Sequence, residues 1–153
     1  MLELPHTLVG ALIATKIPEA KIALPLAFLS HFFLDLIPHW NPNLYTEKMN
    51  NGKVSKKTTW LVIVDAIAGL VVGSILALRF WPNFSRIAII YGACFLAVVP
   101  DIIEGLYFFA DINHPVLIWL VKFQRRHQGK AGKKLGLASQ LAAVLVSLFY
   151  LFS

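Results

Sequence analysis

The stretch WLVIVDAIAGLVVGSILALRFW, residues 60–81, is almost entirely apolar and contains a single acidic residue, Asp65. A helix of about 20 residues crosses a hydrocarbon layer of about 30 Å, so this stretch is long enough to span a membrane. Trp60 and Trp81 stand at its two ends, where aromatic anchors are expected. The stretch therefore predicts a membrane-spanning helix.

The composition of the whole chain agrees with this prediction. Of the 153 residues, 58% are hydrophobic and only 14% are charged, whereas about a quarter of the residues in a soluble domain are charged. The length allows one domain, residues 1–153. We therefore expect an all-α polytopic membrane bundle that has the lipid bilayer as its partner. The net charge of +6 is explained by the positive-inside rule, so no nucleic-acid partner is expected.

Hydrophobic periodicity and helix breakers predict about four spanning helices, a short N-terminal helix and an interfacial helix. The stretch NHPVLIWLVKFQRRHQ (113–128) is too short and too basic to span, and it predicts the interfacial helix at about 115–126. The polar stretch 41–58 predicts an exposed loop. The short helix and the four spans are expected at about 4–15, 19–37, 59–80, 86–110 and 135–152.

The basic residues indicate an orientation. Lys and Arg concentrate in segments 41–58 and 111–134, whereas the turn between the two central spans has only Arg79 and Arg86. Because cytoplasmic loops carry the excess of Lys and Arg, we expect both large loops in the cytoplasm. The chain is then a multi-pass protein of the cell inner membrane.

A second stretch, SHFFLDLIPHW (30–40), places titratable side chains inside a run that otherwise has the character of a membrane helix. His31 and Asp35 are four residues apart and share one face of a helix. His39 lies one turn further along if the helix continues through Pro38. A simple intrahelical hydrogen bond between His31 and Asp35 is the alternative to a functional pair.

Further polar residues fall at the same expected membrane depth: Asp65, the pair Asp101 and Glu104, and His6 at the start of the first helix. Buried charges in membranes are usually paired or functional, and the available Lys and Arg residues lie mostly in loops. A divalent cation would neutralise this layer. Mixed His and carboxylate ligation suits Zn²⁺ first, with Mn²⁺ or Fe²⁺ as alternatives. The predicted metal ligands are His6, His31, Asp35 and Asp101.

Three other residues are candidates for catalytic roles. Glu104 or Asp65 is placed to act as a general base toward a metal-bound water. The alternatives are a hydrated Asp65 near the interface, and a proton shared between Glu104 and Asp101. His127, within QRRHQ, is either a substrate-facing group or part of a basic surface.

Three stretches, LPHTLVGALIATK, LSHFFLDLIPHW and VVPDIIEG, resemble the predicted membrane-bound metal-dependent hydrolases, small inner-membrane proteins distantly similar to zinc-dependent phospholipases C. The similarity lies in an early histidine followed by a glycine, His6 and Gly10, and in the Pro-Asp pair of residues 100 and 101. The family's Pro-Asp-x-Asp-His pattern is PDIIE here, and its His-Arg and Thr-His-Ser segments are absent. The resemblance implies a metal-dependent hydrolase.

Two hypotheses of function follow. The first is a membrane-embedded metal-dependent hydrolase that acts on a lipid or lipid-linked ester or phosphoester, such as a phospholipid, at the cytoplasmic leaflet. Lys122, Arg125 and Arg126 would then hold an anionic headgroup. The second is a non-enzymatic membrane protein, either a metal-stabilised structural module or an ion, proton or metal transporter.

Overall fold

The computed structural model describes residues 1–153 and consists of helices without a β-strand. The all-α prediction is confirmed, and each expected helix is present with its ends displaced by a few residues. The helices, in chain order, are α1 (Glu3–Lys16), α2 (Ala20–Asp35), α3 (Leu44–Asn51), α4 (Lys56–Leu78), α5 (Phe84–Phe109), α6 (Pro115–His127) and α7 (Lys133–Phe152).

Three of these helices are long and apolar enough to cross a membrane: α4 with 23 residues, α5 with 26 and α7 with 20. Their outward faces carry large exposed apolar side chains, which lipid would cover; examples are Leu70, Ile75, Phe95, Leu141 and Phe149. The expected fourth span is not confirmed, because α2 has 16 residues and reaches only about 24 Å at 1.5 Å per residue.

The short helix α1 lies in the centre of the bundle and packs against α2, α4, α5 and α7. Its contacts are made through small residues, since alanines on four helices are fully buried. Small side chains let helix axes approach closely, which is how helices associate where lipid removes the hydrophobic driving force. The alanines are Ala11, Ala14, Ala23, Ala27, Ala77, Ala93 and Ala97.

Glycines mark the two closest approaches to α1. A Cβ added at Gly10 would lie 2.7 Å from the Ala93 carbonyl oxygen, so α1 and α5 touch there through backbone. Gly69 and Gly73 of α4 both face Thr7, at 2.9 and 3.1 Å from an added Cβ. These contacts fix the depth of the first turns of α1 between α4 and α5, and with it the position of His6.

The expectation of an exposed loop at 41–58 is wrong for its first part, which forms α3. Lys48 in α3 is buried, because its ammonium group donates to Asp111 Oδ1 at 2.7 Å and lies 4.8 Å above the ring of Tyr107. The hydrogen bond and charge of Lys48 lower the pKa of the Asp111 carboxyl. The side chain of Lys48 therefore anchors α3 to the end of α5.

Helix α2 ends at Asp35, so His39 lies beyond the helix and not on its next turn. The segment after α6 closes this end: the Gly129 N–H donates to the Asp35 carbonyl oxygen at 2.7 Å, and the His39 N–H donates to the Gly129 carbonyl oxygen at 3.2 Å. The backbone approaches so closely at Gly129 that a Cβ would collide with the carbonyl groups of Leu36 and Ile37. Both basic segments thus meet at one end of the bundle.

Candidate metal centre

His6 is a fully buried side chain whose ring nitrogens form no hydrogen bond. It lies on the first turns of α1. Its Nε2 is 3.4 Å from Asp35 Oδ1 but without hydrogen-bond geometry. Buried polar atoms are nearly always satisfied, so two orphaned nitrogens on one ring require an explanation.

His31 of α2 stacks on His6, with ring centroids 4.2 Å apart. Its Nδ1 lies 2.9 Å from the carbonyl oxygen of Ala97 in α5. A carbonyl oxygen can only accept, so Nδ1 carries the hydrogen, and Nε2 of the neutral ring keeps a lone pair. Histidines that bind metals usually donate their other N–H to a carbonyl or carboxylate in this way. Pro100, within the same stretch of α5, has no N–H of its own to donate.

Three oxygens surround His31 Nε2. Gln124 Oε1 lies at 3.0 Å, Asp101 Oδ1 at 3.6 Å and Asp35 Oδ2 at 3.7 Å. The Gln124 amide nitrogen faces the Pro100 carbonyl oxygen at 3.5 Å, so its oxygen is the atom turned toward the ring. A lone pair facing three acceptors is repulsive. A proton on Nε2 or a metal ion beside it would reverse the sign of this interaction.

The separations fit a metal ion. One ligand atom each from His6, His31 and Asp101 lies within 4.8 Å of the other two, so this triad could hold an ion. A tetrahedral centre with bonds of about 2.0–2.2 Å brings its ligand atoms to roughly 3.4 Å from one another. Within the triad, His31 Nε2 and Asp101 Oδ1 are 3.6 Å apart, which is close to this value. Beside the triad, His6 Nε2 lies 3.4 Å from Asp35 Oδ1.

Asp35 lies beside the triad but is not one of its three candidate ligands. Its Oδ1 contacts the amino group of Met1, and its Oδ2 accepts from Gln128 Nε2 at 3.1 Å. His39 Nε2 is 3.7 Å from the same carboxylate. Burial lowers the pKa of His39, whose Nδ1 donates to the Ile37 carbonyl oxygen at 2.8 Å. Asp35 is thus shared between the imidazoles and the residues that close this end.

Asp65 has a structural position that the sequence did not indicate. Its Oδ2 accepts from the Glu3 backbone N–H at 2.5 Å, at the first turn of α1. The residue before that turn, Leu2, supplies no side-chain cap. A carboxylate from α4 therefore caps the N-terminus of α1. Its negative charge also interacts favourably with the positive end of the helix dipole.

Glu104 lies three residues after Asp101 on α5, and its Oε1 is buried without a hydrogen-bond partner. Both carboxylates line a cavity of about 310 Å³ at the end of the bundle where the basic segments meet. His6, His31 and Asp35 are not on the cavity wall. Asp101, with its side chain 19% exposed, is the member of the triad that reaches the cavity.

His127 lies apart from the cluster. It is exposed at the end of α6, where Nδ1 donates to the Phe123 carbonyl oxygen at 2.8 Å and the ring packs 4.4 Å from the Phe123 ring. It does not line the cavity. The structure therefore brings His6, His31 and Asp101 together with Asp35 beside them, and it places Glu104 on the cavity wall with Asp101. His127 lies outside this group.

Two residues near the site were missed from the sequence. Gln124 occupies a polar position on the buried stripe of α6, with Leu117 and Val121, and that spacing could have revealed it. Glu3 is one turn before His6, and it lines the cavity with one buried carboxylate oxygen unpartnered. The three-residue spacing between Glu3 and His6 was overlooked because Glu3 is so near the start of the chain.

Comparison of the chain with protein-family models, with curated proteins and with solved structures finds no match.

Proposed function

We propose that the protein is an integral membrane metal-dependent hydrolase that binds its ion between His6, His31 and Asp101, with Asp35 beside them. The observation that carries the proposal is the set of acceptor atoms around His31 Nε2, together with the two unpartnered nitrogens of His6. Zn²⁺ is the first choice for two imidazoles and carboxylate, and Mn²⁺ or Fe²⁺ are the alternatives.

The chemistry is divided among the residues by their positions. A divalent ion held by His6, His31 and Asp101 would lower the pKa of a water molecule toward neutrality and polarise the bond to be cleaved. Asp101 joins the buried histidines to the cavity, so substrate would approach from its side. Glu104 lines the cavity and has one buried oxygen without a hydrogen-bond partner. It serves as the general base that takes a proton from the attacking water.

The substrate is a lipid or lipid-linked ester or phosphoester. The cavity lies at one end of the three apolar helices, where the surface of the bilayer would be, and α4 and α5 supply part of its wall. The same end carries the basic segments, so the cytoplasmic leaflet of the inner membrane is the expected location. In this arrangement α1 and α2 form a hairpin, with α2 as a short fourth span.

Elemental analysis of the purified protein tests the metal. We expect about one Zn²⁺, Mn²⁺ or Fe²⁺ per chain in the wild type and in His127→Ala, whose exposed imidazole is the matched control, and almost none in His31→Ala. Equal metal content in His31→Ala and His127→Ala would overturn the assignment.

Activity is tested with Glu104→Gln, which keeps the size of the side chain and removes the base. We expect this variant to retain its metal and to lose hydrolysis of short-chain ester and phosphoester lipids by about 10²–10⁴-fold, as for a lost general base. Wild type without hydrolysis on any of these lipids would overturn the enzymatic part.

A metal-stabilised structural module is the second candidate. The observation in its favour is that the triad joins three helices, α1, α2 and α5, and so would hold the centre of the bundle together. It predicts metal-dependent stability without any effect of Glu104→Gln on a reaction.

Orientation is tested by reporter fusions after Lys57 and Lys130. Both are expected to report the cytoplasm, and export of either reporter would place the cavity at the outer face.

A further inference from the structure

The cavity wall carries opposite charges that do not pair with each other. Asp101 and Glu104 lie on α5, and Arg125 and Lys130 lie on the opposing segment, which consists of α6 and the residues that follow it. Neither Arg125 nor Lys130 forms a salt bridge, whereas the buried Lys48 does. Two cationic side chains therefore line the cavity without an acidic partner.

Arg125 is held in place although it has no acidic partner. Its guanidinium carbon lies 3.9 Å from the centre of the Tyr45 ring. Stacking uses the flat face of a guanidinium group and leaves the N–H donors in its plane, where they fit the oxygens of a phosphate or carboxylate. Tyr45 itself lines the cavity, so the donors are held at its wall.

The neighbouring basic residues of α6 are placed differently. Lys122 and Arg126 are exposed, as Arg125 is, but they are absent from the cavity wall. The sequence grouped Lys122, Arg125 and Arg126 as a headgroup site, and the structure separates Arg125 from the other two and adds Lys130. Helix α6 thus carries both the candidate residue, Arg125, and a control residue, Arg126.

We propose that Arg125 and Lys130 bind the phosphate group of the ligand, and so select phosphoesters over uncharged esters in this cavity. The proposal rests on the proposed function, because the carboxylates of Asp101 and Glu104 would repel a phosphate unless a metal ion neutralises them. The cavity of about 310 Å³ is at the lower end of the range for small-molecule sites, so it has room for a headgroup but not for acyl chains.

The phosphate could belong to a lipid or be free. Apolar residues of the spanning helices, Val62 and Phe109, also line the cavity, and Phe109 is 44% exposed. This apolar side favours a lipid, whose chains would leave the cavity along α4 and α5. Inorganic phosphate and a phosphate-bearing lipid therefore differ in expected affinity but share the same cationic contacts.

Calorimetric titration of the full chain in maltoside detergent tests the proposal. Zinc is titrated first and its excess removed. The metal-loaded and the metal-stripped protein are then each titrated with inorganic phosphate, with dihexanoyl phosphatidic acid and with dihexanoylglycerol, which lacks the phosphate. Arg125→Gln and Lys130→Gln are compared with Arg126→Gln, which removes an exposed charge from the same helix.

In the metal-loaded protein we expect phosphatidic acid to bind more tightly than inorganic phosphate, and dihexanoylglycerol at least tenfold more weakly than phosphatidic acid. Loss of one charge-assisted contact should weaken phosphate binding by about tenfold or more in Arg125→Gln and Lys130→Gln. Arg126→Gln should stay within about twofold, since Arg126 does not line the cavity and its charge is screened by solvent.

Equal phosphate affinities in Arg125→Gln and Arg126→Gln, or equal binding of the two lipids, would overturn the proposal. Inorganic phosphate binding as tightly as phosphatidic acid would retain the cationic site and assign it to free phosphate. Absence of zinc binding in the first titration would instead overturn the proposed function. In that case, phosphate could still bind to the metal-stripped protein. If this binding is lost in Arg125→Gln, Arg125 and Lys130 form a phosphate site that does not depend on the metal.

Discussion

The two ends of the bundle place charge in opposite ways. At the end distant from the cavity, Arg86 Nη2 donates to the carbonyl oxygen of Thr15 at 2.9 Å, and its guanidinium lies over the Phe80 ring. At the cavity end, Asp35 pairs with the amino group of Met1, but no Lys or Arg side chain forms an ion pair with Asp35, Asp101 or Glu104. The distant end keeps one buried donor without a partner, Arg86 Nη1, whereas the cavity end has an excess of acceptors.

This difference shows where the chain is organised for packing and where for binding. Arg86 stabilises the last turn of α1, because its Nη2 donates to a backbone carbonyl oxygen of that turn. Imidazole nitrogens and carboxylates that face one another in the interior are stable only with a proton or a metal ion between them. Variants at each end of the bundle, and between the ends, test this difference.

The largest effect is expected at His31. His31→Ala should abolish the stabilisation that zinc gives the wild type, which is about 2.7 kcal/mol when free zinc is a hundred times its Kd. Unfolding in detergent with and without zinc measures this difference. His127→Ala should keep the full zinc effect. If zinc stabilises His31→Ala as much as the wild type, the cavity end is completed by protons and the contrast between the two ends is lost.

A smaller effect is expected at the crossing of α1 and α5, midway between the ends. Gly10→Ala would push a methyl group against the Ala93 carbonyl oxygen, and overpacking of this kind costs about 1–3 kcal/mol. Gly105→Ala is the matched control, because its Cβ would meet only Phe109 at 3.8 Å. Unfolding free energies of both variants check the prediction. A Gly10→Ala variant as stable as Gly105→Ala would show that the two helices separate easily.

Asp65 and Arg86 cap the two ends of α1, so they should behave alike and unlike His31. Asp65→Ala removes the acceptor for the Glu3 N–H and should cost about 0.5–2 kcal/mol. Arg86→Met removes a donor to the Thr15 carbonyl oxygen and should cost about 0.5–1.5 kcal/mol. Both should retain the metal content of the wild type. Loss of metal in Asp65→Ala would make Asp65 part of the centre.

The smallest effect concerns pH at the exposed Asp111. Lys48 lowers the pKa of Asp111 in the folded chain from its ordinary value of 3.8. The carboxylate therefore stabilises the fold above about pH 4, and this contribution disappears as the pH falls through the lowered folded value. Asp111→Asn should lower Tm slightly at neutral pH, and the difference from wild type should shrink in strong acid. A difference that does not change with pH would mean that the ion pair contributes nothing.

Much of the fold follows from local sequence. The apolar runs of α4, α5 and α7 and the breakers between them predicted these helices, because hydrophobicity and helix boundaries depend on neighbouring residues. The amphipathic stretch that begins at Pro115 was likewise predicted as a helix. α3 was missed because its stability comes from Lys48, whose partners Tyr107 and Asp111 are distant in sequence.

By itself, the sequence determined that His6, His31, Asp35 and Asp101 fall at one depth, since rise per residue and helix ends set depth. Only the tertiary structure decided what each polar residue does. Asp65 caps α1 while Asp101 faces the histidines, and His127 points away from the cavity. The physical reason is that helix rotation and the close approaches at Gly10 and Gly69 arise from packing between helices. No local pattern encodes that packing, so it decides which side chains of one layer meet.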